Sequence, residues 1–179
     1  MKGIVFTEFL EMVEGSYGLG TVDYILQNSD LESNGVYTSV GTYDHKELII
    51  LLSILSKKVK IADDDLIYDF GKYFFTSLKN ARPQVFEKHK SPEGFLISIE
   101  DHVYKQVKEG YPPVKPQTFT IEKNDNDQLI FVYKSTAGLY MFALGFLEKT
   151  FEHYNPSFKI TYNKLSDKGT QVRFTVIKK

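Results

Sequence analysis

Four histidines, His45, His89, His102 and His153, are the residues of this chain best suited to ligation or proton transfer. No two stand at the i, i+3 or i+4 spacing with which a helix chelates a metal, which disfavours a zinc or non-haem iron centre. The chain has no cysteine, so disulfides, thiolate metal sites, iron–sulfur clusters and a thiol nucleophile are excluded together. Neither a GxSxG elbow nor an HExxH pair is present. Gly15-Ser-Tyr-Gly-Leu-Gly fits neither the dinucleotide nor the phosphate-loop spacing, no strand precedes it, and it reads as a turn. Asn124 to Asp127 lacks the sixth-position Gly and the closing Glu of a calcium loop, and reads as a turn too. His45 and His89 lie in polar surroundings and are expected to be exposed. His153 ends an apolar helix, where a cation would favour the helix dipole. His102 stands apart, because it borders an apolar helical stripe in a chain with 14 Phe and 12 Tyr. On these residues alone a hydrogen-bonded core histidine is the simpler reading of His102. One imidazole is nevertheless enough for the iron of a b-type haem.

The elements that must position these groups come from a chain of 179 residues, long enough for one domain with a sizeable core. With 22 Lys and Arg against 23 Asp and Glu, no basic face is available for phosphate neutralisation. Only Arg82 and Arg173 could supply a guanidinium fork, so no nucleic-acid partner is expected. The opening Met1-Lys2-Gly3 carries charge too early for a signal peptide. The most apolar stretch, Ala137 to Leu147, is too short to span a bilayer. A soluble, cytoplasmic protein without membrane insertion is expected.

The first two thirds of the chain predict helices. Val5, Phe6, Phe9, Leu10 and Val13 share one stripe of a helix from about Gly3 to Val13. Asp44-His-Lys-Glu47 resembles a capping box ahead of Leu48, Leu51, Leu52 and Leu55. Asp63 to Asp65 are expected to cap a helix and favour its dipole, with Ile67, Phe70, Gly71, Phe74 and Leu78 along one face. Gly71 costs about 1 kcal/mol relative to Ala inside a helix, which close packing or close approach of a ligand would explain. Ser91-Pro92 starts a helix bearing Phe95, Ile99, Val103 and Val107, which should stop at Gly110 before Pro112-Pro113. The period then changes to two. Residues 117–122 and 128–133 form one predicted hairpin, and 157–162 and 171–177 form another. Between them Gly138 to Phe151 is apolar nearly all round, the mark of a buried helix. The fold class is α+β, a helical N-terminal lobe plus a lobe with a four-stranded antiparallel sheet and a buried helix. A single domain over 1–179 is expected, with lobes of about 1–62 and 63–179.

The opening Met-Lys-Gly, the His102 helix followed by Pro112-Pro113, and Tyr133-Lys-Ser135 entering the apolar helix together resemble the H-NOX domain. This is the haem nitric oxide/oxygen-binding (HNOB) fold, also found in soluble guanylate cyclase, and the resemblance runs end to end. It implies a haem between the two lobes. It implies that His102 is the iron ligand, that Pro113 presses the porphyrin out of plane, and that Gly71 meets the haem on its proximal side. Tyr133 and Ser135 match the first two residues of the family's YxSxR motif, which binds the haem propionates. Val5, Phe9, Phe74, Leu78, Phe142 and Phe146 are expected to complete the haem-binding residues by the same resemblance. The third motif position departs from the pattern, since Ala137 stands where the family has Arg. Lys134 is no substitute, because neighbours along an extended segment point to opposite sides. A lost charge-assisted hydrogen bond is worth about 1.5–3 kcal/mol, so haem is expected to be retained less tightly.

Family members that bind oxygen stably use a network around a distal Tyr. The matching position here, nine residues beyond Tyr133, is Phe142, and the network partners fall on Phe9 and Phe74. Three phenyl rings offer no donor to bound oxygen, whereas nitric oxide binds ferrous iron without one. Tyr140 lies about 200° round the helix from Phe142 and does not replace the donor. The resemblance therefore implies a bacterial, stand-alone nitric oxide sensor that excludes oxygen. It signals by breakage of the Fe–His102 bond and lobe movement, through a separate histidine kinase or cyclic-di-GMP enzyme. No catalytic constellation is visible, so the chain is not expected to be an enzyme. A haem peroxidase would need a polar distal pair that Phe9, Phe74 and Phe142 do not supply. The alternative, for which Ala137 is the best support, is a haem-free regulatory module of the same fold.

Overall fold

The computed structural model describes residues 1–98, 118–154 and 157–178. Helices α1 (Gly3–Tyr17), α2 (Leu19–Gln27), α3 (His45–Val59), α4 (Asp63–Ala81) and α5 (Pro83–Glu87) come first, and residues 92–98 are helical as α6. Strands β1 (Thr118–Asn124) and β2 (Gln128–Lys134), helix α7 (Tyr140–Tyr154), and strands β3 (Phe158–Lys164) and β4 (Gln171–Lys178) follow. The sheet is antiparallel in the order β1-β2-β4-β3. The α+β architecture is therefore the one expected. The His102 iron-ligand assignment, Pro112, Pro113 and the rest of their helix lie outside the described residues.

Local chemistry explains most boundaries, with three corrections to the sequence reading. The glycine-rich segment is not one long turn. Helix α1 runs through Gly15 to Tyr17, Gly18 alone takes a left-handed backbone (φ 83°), and Gly20 is already inside α2. One residue of positive φ is enough to redirect the chain between two helices. Asp44 caps α3 by accepting from the Lys46 N–H at 3.0 Å, but Glu47 does not close the box. Glu47 is buried and accepts instead from the Ser33 N–H, the Ser33 hydroxyl and the Tyr37 hydroxyl. It thus pins the irregular segment before α3, and a buried carboxylate needs that number of donors. At α4 the N-cap is Ala62, with no side-chain cap, so Asp63, Asp64 and Asp65 lie in the first turn, where they favour the dipole without capping the helix. Ser91 behaves as read, its hydroxyl accepting from the Gly94 N–H at 3.2 Å.

Two apolar clusters result. One joins Phe6, Phe9, Val13, Ile25, Leu48, Leu51, Leu55, Ile67 and Phe70 from α1 to α4. The other packs Leu144, Leu147 and Phe151 of α7 on Phe131, Tyr133, Val172, Phe174 and Val176 of the sheet. They meet where α4 crosses α7. A Cβ on Gly71 would lie 2.2 Å from the Phe142 carbonyl oxygen, and one on Gly145 would lie 2.1 Å from that of Tyr68. The two glycines are reciprocal, each removing the side chain that would hold the other helix away. Beside the crossing the Tyr68 hydroxyl donates to the Glu148 carboxylate.

Candidate functional site

Tight packing at Gly71 places Phe142 against α4, and a cluster of phenyl rings forms there. Phe74 and Phe142 meet edge to face with centroids 5.5 Å apart. Phe146 completes this side, 6.4 Å from Phe74 and 6.5 Å from Phe142. Phe9 reaches the group through a residue the sequence reading left out of the site. Phe70 lies 5.3 Å from Phe9, 6.0 Å from Phe74 and 5.1 Å from Phe142. The available signal was its place one helical turn before Phe74 on the same stripe. Phe9 and Phe70 are wholly buried, while Phe74, Phe142 and Phe146 are half-buried. The cluster therefore has a sealed floor and an open rim.

The remaining expected lining residues disperse. Val5 packs into the N-terminal core, and Leu78 lies against Phe75, Phe86 and Phe95. Alongside, Tyr73, Thr76, Ser77, Asn80 and Ala81 of α4 line an open concavity of about 430 Å³. Burial, and then the carboxylates of Glu8 and Glu11, hold the Tyr73 phenol above its ordinary range. Tyr140 belongs to the sheet-side cluster, as its helical angle implied. Its hydroxyl is 3.5 Å from Asp64 Oδ2, and Lys164 Nζ stands 4.6 Å over its ring.

The second part of the site lies at the end of β2. Tyr133 pairs with Phe119 on one side and Val172 on the other, and its ring packs 5.4 Å from that of Phe119. Its side chain is wholly buried, yet the hydroxyl makes no hydrogen bond among the described residues. Burial pushes this phenol up to about 12, against a weak opposing pull from the nearby Ser135 hydroxyl. It is therefore a protonated donor at neutral pH, with no acceptor among the described residues. Ser135 is buried, its N–H donating to Thr170 O at 2.9 Å and its Oγ accepting from the Ala137 N–H at 3.2 Å. Lys134 between them is exposed, and Ala137 and Leu139 pack into the N-terminal core. Gly138 turns the chain there with φ 66°.

Three histidines can be placed. His45 is half-buried, with Nδ1 3.3 Å from Asp44 Oδ1. His89 is half-buried too, its ring 6.1 Å from Phe95. At His153, Nδ1 lies 3.1 Å from Lys79 Nζ, and partial burial, then the Lys79 charge, lower its pKa, which opposes the charge that the helix dipole would favour.

An apolar, donor-free ring cluster can admit a small neutral molecule. A buried hydroxyl donor without an acceptor suits a carboxylate.

Comparison with known proteins identifies the family. The Haem-NO-binding (HNOB) family model matches residues 2–162. No curated protein matches the chain. The structure resembles the unliganded Fe(II) H-NOX protein from K. algicida at 41% identity and a TM-score of 0.88, covering 100% of this chain and 97% of that one. It resembles the H-NOX from Shewanella woodyi, solved in an Fe(II)CO state, at 30% identity and a TM-score of 0.80, covering 100% and 95%. The H-NOX protein from S. oneidensis in its Fe(II)NO state, at 21% identity and a TM-score of 0.81 with both chains covered 100%, shows likeness of fold alone. Among the described residues no helix is long and apolar enough to cross a membrane.

Proposed function

Because the chain belongs to the H-NOX family of haem-based gas sensors, we propose that it binds nitric oxide at a ferrous b-type haem, excludes oxygen and signals to a separate effector. The observation that carries this is the ring cluster of Phe9, Phe70, Phe74 and Phe142, which offers a bound gas no hydrogen-bond donor. Nitric oxide needs none, whereas stable oxygen binding uses one.

The residues fit a haem. Tyr133 carries a buried hydroxyl with no partner among the described residues, and Ser135 adds a second hydroxyl two residues on, where propionate carboxylates would accept. The bound group supplies one chemical property, a ferrous iron with an open coordination position for the gas. His102 would be the iron ligand and Pro113 would bear on the porphyrin. Gly71, Phe74, Leu78, Val5, Phe9, Phe142 and Phe146 would stand around it. With no cysteine in the chain, the porphyrin is held without thioether bonds.

The chain's own contribution to signalling is mechanical. Helix α4 shares a core with α1 to α3 and meets α7 backbone to backbone at Gly71 and Gly145. Movement of the first lobe, about 1–62, would reach α4 of the second, about 63–179, through that shared core, and α4 would pass it to α7 with no flexible side chain between the two backbones to absorb it. The effector is proposed to be a cytoplasmic histidine kinase or cyclic-di-GMP enzyme.

The test is the visible spectrum of the protein reduced under argon and then exposed separately to air and to nitric oxide. A five-coordinate ferrous spectrum, unchanged by air and converted by nitric oxide, is expected. A stable oxy spectrum would sink the claim of oxygen exclusion. His102→Gly should lose haem unless imidazole is added, and colour retained without imidazole would sink the ligand assignment. Ala137 favours a second reading, a haem-free module, and a colourless protein that refuses added haem would decide for it.

A further inference from the structure

Phe74 and Phe142 touch one another directly, but Phe9 is joined to them through Phe70. Phe70 meets rings from three helices, edge to face with Phe9 of α1 and with Phe74 of its own α4, and tilted with Phe142 of α7. It is wholly buried. The next residue, Gly71, lets the Phe142 carbonyl lie directly against α4, which brings the Phe142 main chain close beside Phe70. What remains free at Phe142 is its ring, half-buried at the rim of the cluster. A phenyl ring in a well-packed site keeps one orientation only while its neighbours fill the space behind it.

We propose that Phe70 is the positioning residue of the gas pocket: it closes the floor of the ring cluster and holds Phe9 and Phe142 in a single arrangement around the bound gas. It touches neither iron nor gas and acts through the rings that do. The proposal rests on the haem reading above, and goes beyond it in assigning the shape of the pocket to a residue behind its wall. Without Phe70, Phe9 loses its connection to the pair and Phe142 gains room to adopt a second orientation.

Two measurements test this, one with haem and one without. In the ferrous protein bound to carbon monoxide, the infrared stretch of the gas reads the field of the surrounding rings. One narrow band is expected for the native chain, two or more for Phe70→Ala, and a broadened band for Phe70→Leu, which keeps more of the packing. Phe6→Ala is the matched control, an equal truncation of a wholly buried ring in the same core, whose ring meets Tyr37 and Tyr43 instead. It should lose comparable stability and leave the band alone. A single unshifted band in both Phe70 variants would overturn the proposal, as would splitting of equal size in the Phe6 control.

The second measurement places a para-fluoro label on the Phe142 ring and reads it by fluorine NMR in the haem-free chain. One resonance is expected in the native chain and in Phe6→Ala, and more than one in either Phe70 variant that remains folded. One resonance throughout would overturn the proposal. A protein that never takes up haem would remove the sensor reading, while the fluorine result would still decide what Phe70 does.

Discussion

The ring cluster between α1, α4 and α7 and the Tyr133–Ser135 end of β2 are both buried and aromatic, yet they differ in what they leave undone. In the cluster Phe70 meets Phe9, Phe74 and Phe142 ring to ring, and none of these four side chains carries a polar group. At β2 a tyrosine as deeply buried as Phe70 keeps a hydroxyl donor that no described residue accepts. An unpaired buried hydroxyl costs on the order of 1–3 kcal/mol, so it signals either a defect or a missing acceptor. The contrast separates two tasks of a cofactor site. Selectivity among small gases can be built from the absence of donors, whereas anchoring a charged periphery requires donors held in reserve.

The largest effect should come from breaking the crossing that creates the cluster. Gly145→Ala places a methyl against the Tyr68 carbonyl, and a loss of about 3 kcal/mol is expected in urea unfolding. Gly15→Ala, mid-helix with nothing near its added methyl, should instead gain about 0.5–1 kcal/mol. Equal effects at the two glycines would mean that the crossing is not tight.

Next is the anchoring region. Ala137→Arg should slow haem transfer to a scavenging apo-globin by about one to two decades, the equivalent of roughly 1.5–3 kcal/mol. An unchanged rate would show that the third motif position has no part in anchoring. Tyr133→Phe sharpens the comparison because its two signs should oppose. The haem-free chain should be unharmed or stabilised by about 1 kcal/mol, since no bond is lost, while the loaded chain should release haem several-fold faster. Destabilisation in both states would mean that the hydroxyl already has a partner.

The smallest effect lies outside both regions. Burial alone would raise the Glu93 carboxyl, but the hydrogen bond from Lys178, at 2.8 Å, helps to outweigh it and holds the group below its ordinary 4.5. A depressed carboxylate stabilises the fold above the ordinary value, and that contribution disappears as pH falls through the lower folded value. Lys178 Nζ also donates to Asn124 Oδ1 and Asp125 O, so it ties α6, the β1–β2 turn and the end of β4 together. Glu93→Gln should flatten the acid limb of stability by up to about 1 kcal/mol and leave the carbon monoxide band unmoved. A moved band would mean that the ring cluster is not electrostatically self-contained.

Much of this was legible in the residues. Period-two alternation found both hairpins, and the apolar run from Gly138 found α7, because one-sided and all-round burial leave different spacings. The β-bulge between Ile121 and Lys123 was not legible, since one slipped pair leaves no compositional mark. Glu47 satisfied the pattern of a capping box and was drawn away by Ser33 and Tyr37, donors that only the folded chain brings near. Family resemblance supplied the identities of the site residues, while Phe70 went unassigned because its importance depends on which helices flank it. His153 was read from its helix alone, without Lys79 of α4, whose charge joins burial in lowering its pKa.

The α4–α7 crossing also has a consequence for the order of folding. The ties between Glu47 and its donors span 14 and 10 residues, whereas the Tyr68–Glu148 bond spans 80. Closing the longer loop costs more chain entropy before any contact rewards it. The N-terminal helices can therefore consolidate while α7 is still searching, and the ring cluster is among the last parts of the molecule to assemble. Pulse-labelled amide exchange during refolding should protect α3 before α7, so a cofactor present during synthesis meets an unfinished cleft and can help to close it.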